Sequence, residues 1–141
     1  MATKADFTED EWAALQRGVT GSAMLVSLAD RDFTDTFGEV GAMTKFLQGQ
    51  QVASPSELIR EVAKTHSTGF GLTTSPQNLR AETMAAFQTA IAALGAKAPG
   101  DLDAYRQTVL GVAQAVAEAK GGVTAVETAM IQEIQTAVGA G

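Results

Sequence analysis

The sequence predicts an all-α protein, a single-domain bundle of about seven helices. Two observations favour this fold class. Apolar residues recur at spacings of three and four along much of the chain, and capping boxes or Ser-Pro pairs precede these runs. In addition, no stretch alternates apolar and polar residues for long enough to indicate a strand. With 141 residues, 45% of them hydrophobic, residues 1–141 can form one core without disulfides.

The start of the first helix carries two signals. Thr8 and Glu11 form a capping box, and Phe7 is placed to pack on Trp12 as a hydrophobic staple. Further along, the glycines at 18 and 21 allow two interpretations. They either separate this helix from a second one over residues 22–29, or they kink one longer helix. The count of seven takes the first interpretation.

The third and fourth helices are predicted from their boundaries. Thr36 and Glu39 form a capping box for the third helix, which ends at Gly49. Ser54 followed by Pro55 opens the fourth helix, and Gly69 ends it. The predicted buried residues are Val40, Met43, Phe46 and Leu47 in the third helix and Leu58, Ile59 and Val62 in the fourth.

Three more helices complete the chain. Ser75 and Pro76 open the fifth, which is predicted to end at Gly95, and either Gly100 or Asp101 caps the sixth. The seventh runs from Thr124 to about residue 138. The predicted apolar stripes are Leu79, Met84, Phe87, Ile91 and Leu94, then Leu102, Tyr105, Val109, Val112 and Val116, then Val126, Met130, Ile134 and Val138.

Composition excludes several classes of function. A net charge of −6 and ten scattered basic residues argue against nucleic-acid binding, which needs clustered Lys and Arg. The absence of cysteine excludes thiolate nucleophiles and cysteine zinc sites. No run approaches the roughly 18 apolar residues of a membrane span. The N-terminus also lacks the apolar part of a secretory signal, so a cytoplasmic protein is expected. With one histidine and no Gly-x-Ser-x-Gly, a non-enzymatic role is favoured.

A pattern occurs twice in the chain. Residues 29–39 align without a gap with residues 117–127. Each copy follows an apolar run, crosses a polar turn and enters a helix through a Thr-x-x-Glu capping box. This predicts two pseudo-repeated helix–turn–helix hairpins that face one another, at approximately residues 20–50 and 108–138.

These two copies resemble the TerB-like family, which is named for tellurite-resistance proteins. Its signature is an apolar helix, Ala-x-x-Asp-Gly, a short turn and a helix that begins with Ser/Thr-x-x-Glu. The chain departs from this pattern at Lys120, which replaces the Asp, and at Phe33, which replaces a Gly. The resemblance implies an all-helical fold, a stress-response role and metal binding by acidic residues of the two turns.

The candidate metal site therefore comprises Asp32 and Glu39 of the first hairpin and Glu127 of the second, with Asp30 and Asp35 as further candidate ligands. A carboxylate-rich turn suits a hard divalent cation, Ca²⁺ or Mg²⁺, although the spacing does not fit an EF-hand loop. The alternative is structural. Glutamates of capping boxes and aspartates of turns stabilise helix starts, and the lysine at 120 could pair with one of them in place of a metal.

A second class of function needs no metal. The chain could serve as a helical interaction scaffold, or carry a small hydrophobic ligand in a cavity lined by Met24, Met43, Phe87 and Tyr105. The alanine-rich fifth and sixth helices would allow close approach of a protein partner or of a second copy in a homodimer. An apolar cavity would distinguish the carrier from the metal-binding domain.

Overall fold

The computed structural model describes residues 4–29, 45–50, 57–62, 76–118 and 125–139. These residues are helical almost throughout and contain no strand, which confirms the all-α fold class. The described part contains six α-helices: α1 (Glu9–Ala29), α2 (residues 45–50), α3 (Glu57–Val62), α4 (Pro76–Lys97), α5 (Leu102–Glu118) and α6 (Ala125–Ala137). Single 3-10 turns, Lys4–Asp6 and Pro99–Asp101, precede α1 and α5.

Helix α1 resolves the alternative that the sequence left open. It continues through Gly18 and Gly21 as one helix of 21 residues, so the first two predicted helices are one. The described residues therefore contain six helices and not seven. Both glycines face neighbouring helices at close range. A Cβ at Gly18 would overlap the Tyr105 hydroxyl, and one at Gly21 would overlap Thr83. Close packing, and not a chain break, explains these glycines.

The predicted start of α1 is confirmed. The Thr8 N–H donates to Glu11 Oε1 at 2.9 Å, and the Glu11 N–H donates to Thr8 Oγ1 at 3.1 Å. These reciprocal bonds satisfy two N–H groups at the helix start. The rings of Phe7 and Trp12 lie 6.2 Å apart between centroids and are both buried, as the predicted staple requires.

One apolar core holds the helices together, and α1 lies at its centre. This helix packs against α4, α5 and α6, while α3 packs against α5. Most of the predicted apolar stripes are buried, and Met84, Ile91, Leu102 and Met130 are partly buried at the margin of the core. The largest fully buried side chains include Leu15, Leu58, Ile59, Leu79, Phe87, Leu94, Tyr105 and Ile134.

The C-terminal ends of α4 and α6 add detail to the predicted boundaries. Helix α4 passes Gly95, its predicted end, and reaches Lys97; Gly95 is exposed and meets no neighbour that would require it. Gly139 has φ +75°, a left-handed conformation that does not allow helix α6 to continue. Arg106 of α5 donates to the Val138 carbonyl at 2.7 Å, placing a cation at the end of α6.

The boundaries of other predicted helices lie partly outside the described residues, among them Thr36, Ser54, Gly69 and Thr124. Gly100 and Asp101, the alternative caps of α5, lie in the 3-10 turn that leads into it. Across the described ranges, every helix is too short or too polar to cross a membrane.

Candidate functional site

The predicted metal site divides between described and undescribed residues. Asp30, Asp32, Asp35 and Glu39 lie outside the described residues, as does Lys120. Glu127 lies in the first turn of α6, and its predicted capping partner Thr124 lies outside the described residues. Within residues 4–29, 45–50, 57–62, 76–118 and 125–139, no three acidic or histidine side chains are grouped as a metal site would need. The site thus stays a prediction.

Glu127 is the functionally suggestive residue of this set because it is fully buried, with 0% of its surface exposed. A carboxylate rarely occupies such a position unless its charge is compensated. It also lies at the start of a helix, where the partial positive charge of the helix favours an acid. Sequence reasoning identified the residue from its capping box but contained no signal for its burial.

Two of the residues proposed to line an apolar cavity, Phe87 and Tyr105, are instead packed against α1. Phe87 and Tyr105 are fully buried, Met24 is partly buried, and Met43 lies outside the described residues. The two aromatic rings approach the backbone at Gly18, where an added Cβ would lie 3.1 Å from Phe87 Cδ1. Protein atoms therefore occupy the space between these rings and α1. The carrier hypothesis gains no support from this arrangement.

Tyr105 makes the most specific contact in this region. Its hydroxyl donates to the Leu15 carbonyl of α1 at 2.7 Å, so the phenol of α5 is satisfied inside the core. Burial raises the pKa of the Tyr105 phenol well above its ordinary value. The side chain therefore stays neutral across the physiological pH range, and its role is to lock α5 against α1.

Two buried hydroxyls complete the contact between α1 and its neighbours, and sequence reasoning missed both. Ser22 Oγ donates to the Val19 carbonyl at 2.7 Å and lies 3.5 Å from the Val109 carbonyl of α5. Thr83 Oγ1 is buried against Gly21 and makes no hydrogen bond within the described part of the chain. The sequence shows only that small residues and hydroxyl residues occur in these helices. It does not show which of them meet across a helix contact.

No acid–base or nucleophilic arrangement accompanies these contacts in the described residues. Two partly exposed ion pairs, Arg80 with Glu133 and Lys97 with Glu11, join different helices. Comparison with known proteins adds no further assignment: no protein-family model, no curated protein and no solved structure matches the chain.

Proposed function

We propose that the chain is a non-enzymatic, cytoplasmic, TerB-like helical domain that binds a divalent cation weakly between its two hairpins and acts in a stress response. The ligands would be Asp32 and Glu39 of the first hairpin and Glu127 of the second. The observation that carries this proposal is the complete burial of Glu127 at the start of α6.

A comparison of the capping-box glutamates shows why this burial is informative. Glu11 performs the capping role at α1 with 23% of its side chain exposed. Glu57, in the first turn of α3, is exposed. Capping alone therefore does not explain the burial of Glu127, and a carboxylate at a buried position is one that a cation can bind away from bulk water.

Two kinds of group could bind the Glu127 carboxylate. A hard cation such as Ca²⁺ or Mg²⁺ prefers carboxylate oxygens and would draw ligands from both hairpins. The ammonium group of Lys120, seven positions before Glu127 on the same predicted hairpin, could instead form an ion pair with the Glu127 carboxylate. The resemblance to a metal-binding family supports the cation, and the lysine at a position where that family has an aspartate supports the ion pair.

Elemental analysis of the natively purified protein, followed by calorimetric titration with Ca²⁺ and Mg²⁺, distinguishes the two. We expect binding of one cation per chain and a rise in melting temperature that grows with cation concentration. Asp32→Ala and Glu127→Gln should abolish both effects. The matched control is Glu118→Gln, since Glu118 is exposed at the end of α5 on the same hairpin; this variant should bind as the wild type does.

Absence of cation binding in the wild type would overturn the metal-binding role. In that case Lys120→Met should cost Glu127 its compensating charge and lower the melting temperature. The double variant Lys120→Met/Glu127→Gln should then recover much of the loss, because no uncompensated charge remains buried.

A further inference from the structure

The N-terminal segment meets the end of α4 at one cluster of side chains. Lys97 Nζ donates to Glu11 Oε1, the same oxygen that accepts the Thr8 N–H. Lys97 also lies 5.6 Å above the centre of the Phe7 ring, within cation–π range. The carboxylate of Glu11 is therefore shared between the cap of α1 and the last turn of α4, so a change in its charge acts on both contacts together.

We propose that this cluster is an acid-sensitive latch: loss of the Glu11 charge releases residues 4–8 from α4 while the helical core stays folded. Release would uncover the rings of Phe7 and Trp12, which are 8% and 7% exposed in the closed arrangement. The two aromatic rings would thus become exposed to solvent only when the latch is open. It is independent of the proposed cation site, because neither Glu11 nor Lys97 belongs to that site.

The charges around Glu11 determine the direction of the response. Lys97 is the base that α4 places against it, and the neighbouring acids on its own segment, Asp6, Glu9 and Asp10, are exposed. The bond from Lys97, followed by that from the Thr8 backbone, holds the pKa of Glu11 below its ordinary value. The stabilisation is therefore present above the ordinary glutamate pKa and is lost as the pH falls through the lower folded-state value.

Trp12 makes the latch measurable because it is the only tryptophan in the chain. Its fluorescence should be followed against pH together with the far-ultraviolet circular dichroism of the helices. We expect the emission to shift towards that of a hydrated indole at a higher pH than the loss of helix. Lys97→Gln should move the emission midpoint to higher pH, and Glu11→Gln should show hydrated emission already at neutral pH, with no acid transition.

Arg80→Gln is the matched control, since it breaks the ion pair that joins α4 to Glu133 of α6 and leaves the latch intact. Its emission midpoint should equal that of the wild type. Hydrogen exchange of the Thr8 and Glu11 amides provides a second measurement, which does not depend on quenching of the indole. Both amides should exchange faster in Glu11→Gln than in Arg80→Gln. The latch would be refuted if tryptophan emission and helix content changed at the same pH in all variants. It would also be refuted if the Thr8 and Glu11 amides exchanged at the same rate in Glu11→Gln as in Arg80→Gln.

Discussion

Replacement of Gly18 by alanine tests the packing at the centre of the bundle. In an exposed helix interior this change is favourable by about 1 kcal/mol, because glycine loses more backbone freedom on folding. At Gly18, however, the new Cβ would overlap the Tyr105 hydroxyl and press on Phe87 at 3.1 Å. Both aromatic side chains are fully buried and have little room to move aside.

The expected magnitude follows from these opposing terms. Overpacking of a core typically costs about 1–3 kcal/mol, and displacement of the Tyr105 hydroxyl from the Leu15 carbonyl costs about 1 kcal/mol more. After the gain of about 1 kcal/mol in helix propensity, the net loss in free energy of unfolding is about 1–3 kcal/mol. For a chain of this size, each kcal/mol lowers the melting temperature by roughly 2–4 °C.

Urea denaturation measured by circular dichroism gives the free energy directly. Gly95→Ala is the matched control, because Gly95 lies in α4 with no atom near its missing Cβ; it should gain about 0.5–1 kcal/mol. In the background of Tyr105→Phe the overlapping oxygen is absent, so Gly18→Ala should cost less there than in the wild type. Equal stabilisation by Gly18→Ala and Gly95→Ala would refute the close approach of α5 to α1.

Two further predictions concern pH and helix capping. Because burial holds the Tyr105 phenol neutral, its folded-state pKa lies above the ordinary value of 10.0, and stability should fall as the pH rises above that value. Tyr105 is the only tyrosine, so tyrosinate absorbance should appear together with the loss of helix; ionisation near pH 10.0 in the intact helical protein would contradict its burial. If Thr124 is the N-cap of α6, as the sequence predicts, Thr124→Ala should cost about 1 kcal/mol, whereas Thr128→Ala, at an exposed position of the same helix, should not. A melting temperature unchanged by Thr124→Ala would mean that the repeat boundary is misplaced.

The sequence predicts correctly those features that depend on residues close together in the chain. The cap and staple at Thr8 and Phe7 are local in sequence, and the structure contains both. It left Gly18 and Gly21 undecided because glycine marks either a chain break or a close approach, and only the partner helices distinguish these. The same limit applies to the site. The predicted capping box identified Glu127 from residues three apart, but a local pattern carries no information on its burial.

The central position of α1 has a consequence for biosynthesis. This helix ends at Ala29, whereas its main partners, α4 and α5, begin at Pro76 and Leu102. At about 5–20 residues per second, several seconds pass on the ribosome between completion of α1 and completion of the helices that cover it. Throughout that interval α1 lacks at least one of its two main partner helices. The nascent chain is thus most exposed to premature association before α4 emerges.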